Sequence, residues 1–597
     1  MTRRFATPAA LSLACLAVVA ALIALAACAG DRDGFAKSPD LVPPLPEADA
    51  GDCPLQCSLD GRSVIQSCDG TVAETCPDTQ ACGAARCQEP CAAAAADPSS
   101  NGCEFYVQNF AQNEDGCLAA FIVNTSAQPV EIALDKDGEV LELSKAVWRT
   151  NPGDATLLEH SGPIPPGESV IVFIASPNPH MPPLYGDVII SCPDGVVAAT
   201  EGSALYRSGI ASSLHLTASA PVSAVAMFPF GGAPSYKPAT TLLMPVVTWA
   251  KEHVLIDGWE LNAGVPATQI VAAQDGTEIT VIPTKSVQDG TNIKGGPPKV
   301  PLTYSLDKGE YLQLIQPEQL AGSVVLSSKP TSVFGGQTCA YVPSSTGACD
   351  MLWQQIPSFE QWGAEYVGVG YRQRTESTHE RMPYRMVAAK DGTRLDYDPY
   401  IPPGAPTEMN AGDDVTFPVR VNEPFVVRTQ DAEHPIYMAA YMVGGGGGGD
   451  GSGGYFGTPN LGGIGDPEFV NVVPAGQWRS SYSFYADPTY KETSLVVIRG
   501  KQRDKFEDVW LECAGILEGW TPIGARGDYE FVRVDLQRDG GPGQSFGDKV
   551  CQTGLHRMKS DGPFTATIWG WAFAASYAYP GGMALRKLVD SPLLPIQ

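Results

Sequence analysis

Charged side chains are scarce in this 597-residue chain, at 18% against roughly 25% in an ordinary soluble protein. Basic ones are scarcest: 39 Lys and Arg stand against 66 Asp and Glu, a formal charge of -27. A nucleic-acid binder needs a basic footprint, so that class is excluded. Beyond the first thirty residues no stretch reaches eighteen consecutive apolar residues, so no later helix spans a bilayer. Few windows longer than ten residues carry a helical apolar face. Gly (63) and Pro (51) are also too abundant for helix interiors. His-x-x-x-His, His-Glu-x-x-His and Walker A patterns are all missing, which removes zincins and P-loops. The glycine run Gly444–Gly449 lacks the Lys-Ser/Thr and helix of a phosphate cradle; Tyr455, Phe456 and Pro459 follow it, as in a surface insertion. With 44% hydrophobic residues the chain is neither disordered nor fibrous. At roughly 100–200 residues per domain it holds three to five domains.

What is present begins at the N-terminus. Arg3 and Arg4 precede an apolar run from Ala9 to Ala27, the layout of a secretory signal. The run ends in Leu25-Ala26-Ala27-Cys28, which resembles the bacterial lipobox. In that reading residues 1–27 are a lipoprotein signal peptide and Cys28 is lipidated, anchoring the chain in a membrane. Ordinary secretion and an uncleaved anchor stay open. No aspartate follows Cys28, which in the bacterial sorting rule points to the outer membrane. Residues 28–52, rich in Pro, Asp, Ala and Gly, form a flexible tether.

Of sixteen cysteines, Cys15 lies in the signal and Cys28 takes the lipid. Fourteen remain, an even number in an oxidising compartment. Cys53, Cys57, Cys68, Cys76, Cys82, Cys87, Cys91 and Cys103 crowd a segment (53–103) with few large apolar residues. It has no Cys-x-x-Cys and no histidine, so disulfide staples are expected there rather than zinc. Cys339 and Cys349 enclose a turn-rich loop, and Cys513 and Cys551 share the last part of the chain. Cys117 and Cys192 are then left together. Four bridges in the head and three beyond it follow, with the pairing inside the head open.

The rest of the chain repeats. A proline followed four or five residues later by tryptophan and a β-like run occurs at Pro245/Trp249, Pro357/Trp362 and Pro474/Trp478, the tryptophans 113 and 116 residues apart. Strand, Asp-Gly turn and strand recur at Val271 to Ile279 and Val387 to Leu395, which reads as a hairpin. A third element is an extended run through Pro221, Pro330, Pro435 and Pro563. Four β-units follow, at 104–240, 241–345, 346–465 and 466–597. At about 110 residues they suit tandem all-β, sandwich-like repeats; a β-propeller-like arrangement is the alternative. Trp249, Trp362 and Trp478 are expected as core plugs of the repeats.

These elements also carry a resemblance. Ser332 to Pro343, Cys349-Asp350, Gln354 to Pro357 and Trp362-Gly363 resemble the signature of the IgGFc-binding protein N-terminal domain family. Gly465-Asp466-Pro467, Pro474, Trp569 to Trp571 and Ser576 to Gly582 continue it in order, over about 200–590. The cysteine-dense head is similar to the heads of predicted lipoproteins from Gram-negative bacteria with large genomes, myxobacteria among them. The resemblance implies an extracellular, non-enzymatic surface protein with no catalytic residues to carry over. Its Fc-binding label attaches to no named position, so the ligand stays open.

The seven histidines (His160, His180, His215, His253, His379, His434, His556) suggest strand packing rather than a site. The turn carboxylates Asp450, Asp466, Asp413/Asp414 and Asp396/Asp398 leave calcium as the one cofactor kept open. Two function classes remain. The first is a non-enzymatic surface binder or scaffold, with an unknown surface protein or polysaccharide as partner. The second is a secreted hydrolase, which would need a carboxylate pair in a cleft.

Overall fold

The computed structural model describes residues 53–58, 61–110, 116–177, 190–202, 205–230, 232–347, 349–375, 380–446 and 461–595. The signal, Cys28, the tether, His180, His379, Asp450 and the glycine run past Gly446 lie outside the described residues.

The chain is almost entirely β. The head is small: a three-stranded sheet (Leu55–Cys57, Ser63–Gln66, Val72–Thr75), a hairpin (Ala81–Gly83, Arg86–Gln88) and one helix, Pro90–Ala96. Proline opens that helix, where its missing N–H costs nothing, and the Glu89 carboxylate accepts a bond from the Ala92 N–H. The alanine run supplies helix propensity without side-chain entropy. Buried apolar side chains in the head come down to Val64, Cys76, Pro90 and Ala93. Cross-links replace the core: Cys53–Cys68, Cys57–Cys82, Cys76–Cys87 and Cys91–Cys103. The last of these ties the helix to the first strand of the body, Asn101–Val107.

Each body unit folds two sheets over one shared strand. In the second unit the shared strand is Val324–Ala340. Its first half pairs with Ala250–Val254 and Thr277–Ile282, and its second half with Pro266–Ala272 and Asp350–Ile356. Leu214–Phe228 and Gly554–Ala572 do the same in the first and fourth units. In the third unit the strand is cut into Phe425–Thr429 and Ile436–Met442. Pro221, Pro330, Pro435 and Pro563 all fall where the strand changes sheets. A proline has no N–H for the ladder, so pairing lapses there and the strand turns the corner.

The Asp-Gly turns do something different from the hairpin expected of them. Pro266–Ala272 and Thr277–Ile282 flank Asp275-Gly276 yet pair with different halves of the shared strand, never with each other. The turn carries the chain from one sheet to the other. Gly276 has φ +59°, a left-handed conformation glycine adopts without strain, and Asp275 accepts the Lys308 N–H. Asp391-Gly392 repeats this between Arg381–Ala388 and Thr393–Asp398.

The closing strands of the four units meet. Ala239–Leu242 packs on Asp350–Ile356, that on Glu468–Asn471, that on Ala575–Pro580, and the last returns to Ala239–Leu242. The body is therefore a closed ring of four two-sheeted units. A propeller blade is a single four-stranded sheet, so the propeller-like alternative does not form. Strands of the inner sheets are buried on both faces: Ile436–Met442 reads as a continuous apolar run and Pro266–Ala272 does so apart from Thr268 and Gln269, whereas Thr277–Ile282 alternates.

Between units the chain makes a one-turn 3-10 helix: Val246–Thr248, Phe359–Gln361 and Ala475–Gln477. Trp249, Trp362 and Trp478 follow directly. Each indole donates back to a carbonyl, of Met244, Pro357 and Val473, at 3.0–3.1 Å. The tryptophans thus sit at the joints between units. Side-chain amides link the joints: Gln361 donates to the Thr248 carbonyl (2.7 Å), and Gln477 to those of Gln361 (2.9 Å) and Arg586 (2.7 Å). Ser100 and Met583 bond to each other and bring the two ends of the ring together. The remaining disulfides stay local: Cys117–Cys192, Cys339–Cys349 and Cys513–Cys551.

Candidate binding cleft

The described histidines and cysteines are engaged within the fold. His253 and His556 are buried and bonded to the carbonyls of Ala250 and Gln552; desolvation pushes both down to about 4, so they are neutral packing groups. His215 lies between Glu104 (2.9 Å) and Asp135 (2.8 Å) and stacks on Tyr106 at 4.6 Å. Burial works against its charge, but the two carboxylates outweigh it and raise the imidazole pKa. This is a latch across three strands. His160 bonds Gly162 and His434 bonds Asp431. All fourteen cysteines from Cys53 onward are in disulfides.

The carboxylates named as calcium candidates are likewise engaged. Asp396 pairs with Arg526, Asp398 accepts the Ala525 and Arg526 N–H groups, Asp413 accepts from Asn410, and Asp414 pairs with Arg385. Asp466 is buried near the ring axis with Asp350 and Glu468, where desolvation raises all three carboxyl pKa values, Asp466 to about 7. Closed off from solvent, they cannot meet a substrate. Among the described residues no three His, Cys, Asp or Glu side chains converge on a metal.

Among the described residues, one accessible feature is a cleft of about 610 Å³ where the first and second units join, within the range of ligand sites, which favour such junctions. The first unit lends the strand Gly209–Ser212 to the edge of the second unit's sheet, against Glu310–Ile315. Tyr206 and Arg207 lie just before it. The facing wall is the excursion 283–301, which leaves Thr277–Ile282 and returns as Leu302–Leu306. The matching connections elsewhere are far shorter: 137–138, 399–407 and 512–514. Val287 and Ile293 bury the base of the excursion, and the Thr291 N–H bonds the Ser208 carbonyl at 2.8 Å. Gln288, Thr291 and Pro317 complete the exposed rim. A second surface feature is apolar. Phe573 (62% exposed) meets Ile464 (37%) across the tip of the last hairpin, with Tyr236 edge-on to it at 6.4 Å.

Sequence reasoning missed the cleft. Its signal was a departure from the repeat: the excursion carries Lys285, Lys294 and Lys299 against one acid, Asp289, in a chain that is otherwise acidic.

Residues 239–570 match the family described as IgGFc binding protein, from the closing strand of the first unit into the long strand of the fourth. No curated protein matches the chain. The match covers the joints with Trp249, Trp362 and Trp478 and the corners at Pro330, Pro435 and Pro563, which the fold repeats around its axis, and also the Cys339–Cys349 loop. The chain belongs to the IgGFc-binding protein family.

Proposed function

We propose that this protein is a non-enzymatic binding protein of the cell envelope. Lipid on Cys28 holds it at the outer membrane, the tether 28–52 lifts it away, and the ring engages a surface protein or polysaccharide. The observation that carries this reading is the family match over a closed ring in which His215, His253, His556, the described cysteines and the axial carboxylates are engaged within the fold. The open junction cleft and the exposed Phe573–Ile464 patch support it, because binding needs accessible surface and catalysis needs an accessible reactive group.

The test is capture by the full chain, solubilised in detergent, from envelope and exopolysaccharide extracts, beside turnover assays on glycan and peptide panels. Saturable capture without turnover is expected. Turnover without capture overturns the reading. Lipidation is tested separately: radiolabelled palmitate should enter the wild-type chain and not Cys28→Ser, and equal labelling overturns the anchor.

A further inference from the structure

We infer that the cleft between the first and second units is a subsite for an anionic polysaccharide carrying uronate carboxylates. This inference rests on the binding reading above and names the ligand class for one site.

Three observations carry it. The first is shape: the cleft is open to solvent along a junction, so a polymer can lie across it without threading a pocket. The second is the rim. Tyr206 is 45% exposed and offers an aromatic face, the usual platform for the C–H face of a sugar ring. Beside it, among the described residues, neither the Arg207 guanidinium nor the Gln288 amide makes a hydrogen bond within the fold; only the Arg207 carbonyl is used, by Gln313. A guanidinium pairs with carboxylate through two parallel N–H donors, and an amide serves hydroxyls as both donor and acceptor.

The third observation is charge. Asp289, the one acid on the rim, is already neutralised by Lys294 at 2.8 Å and by the Gly295 N–H. Lys285, exposed on the same excursion, adds positive charge. The cleft is thus a locally cationic spot on a protein of formal charge -27. A polyanion is repelled by most of this surface and accepted here, which gives both orientation and selectivity. A neutral glycan would gain from Arg207 only hydrogen bonds to hydroxyls, without the charge pairing, and a polycation would favour almost any other face.

Isothermal titration of the detergent-solubilised full chain with polygalacturonate and with dextran tests this. Polygalacturonate is expected to bind and to weaken as salt is raised, while dextran does not bind. Arg207→Ala and Tyr206→Ala should each lower the affinity about tenfold or more. Thr291→Glu, which places a carboxylate on the rim, should do the same while the melting temperature is unchanged. Equal binding of dextran overturns the anionic class. Unchanged affinity in all three variants overturns the site. Capture from extracts with no polygalacturonate binding overturns this inference and leaves the binding reading standing.

Discussion

The head and the ring are built from one chain by opposite means. The head carries four disulfides and buries Val64, Cys76, Pro90 and Ala93; the ring carries three disulfides and buries tryptophans and tyrosines by the dozen, with Trp353, Trp362, Trp478, Trp569 and Trp571 all but sealed. A segment this short cannot remove enough apolar surface from water to offset its chain entropy, so covalent links restrict the unfolded state instead. The ring meets the same problem by closing on itself: each unit covers one face of its neighbour, and the fourth covers the first.

The largest effect should therefore come from reduction. Treatment with dithiothreitol should release the head, with amide exchange at Ser63–Gln66 and Val72–Thr75 becoming unprotected while Pro266–Ala272 and Ile436–Met442 stay protected. Opening Cys117–Cys192, whose ends are 75 residues apart, removes about 4.5 kcal/mol in the loop-entropy account. That should lower the ring's melting temperature without exposing its core. Simultaneous loss of protection in both regions would break the comparison.

Next in size are the joints. Trp362 is 1% exposed, packs on Phe359 and Tyr437, and bonds Pro357. Trp362→Ala should cost about 3–5 kcal/mol in denaturant unfolding, and Trp249→Ala less, because Trp249 keeps 8% exposure. Equal costs would mean that the joints are not graded by burial. Gln477→Ala is milder. It strips partners from the Gln361 and Arg586 carbonyls and from the Arg586 N–H, for about 2 kcal/mol. It should also speed exchange near Met583 while leaving the head unchanged.

Several of these features were legible in the sequence because they are local. Pro221, Pro330, Pro435 and Pro563 were legible as a repeated extended run, but not as the corners that their missing N–H makes of it. The cysteines of the head could be assigned to staples from composition alone. The Asp-Gly turns were legible as turns and misleading as hairpins, since a turn reverses the chain without choosing the partner strand. Closure of the ring depends on contacts such as Ser100 with Met583, at opposite ends of the body, and no local pattern encodes them. Tyr206, Arg207 and Gln288 match no motif; only the unmatched excursion 283–301 betrayed the cleft.

The smallest effect concerns acidity, which composition left without a role. Asp350 faces Asp466 and Glu468 near the ring axis, with Lys237 and Arg374 as the nearest opposing charges. Burial raises all three carboxyl pKa values, and also that of Asp487, to about 6. A carboxyl whose folded pKa lies above its unfolded value of about 4 contributes its full stability below pH 4. That contribution is lost as pH rises through the folded value. His253 and His556, lowered to about 4, act in the opposite sense over the same range, since their contribution fades as pH falls toward 4. The two trends oppose each other in the wild-type curve, so the difference between variants is the informative quantity. Asp350→Asn removes one carboxyl and leaves both histidines in place. Its melting temperature should match wild type at pH 4 and exceed it at pH 8, by on the order of 2 °C for a chain of this size. A difference that does not change with pH would mean that the axial carboxyls carry no titration cost, and that the ring closes as readily over charge as the head does over cysteine.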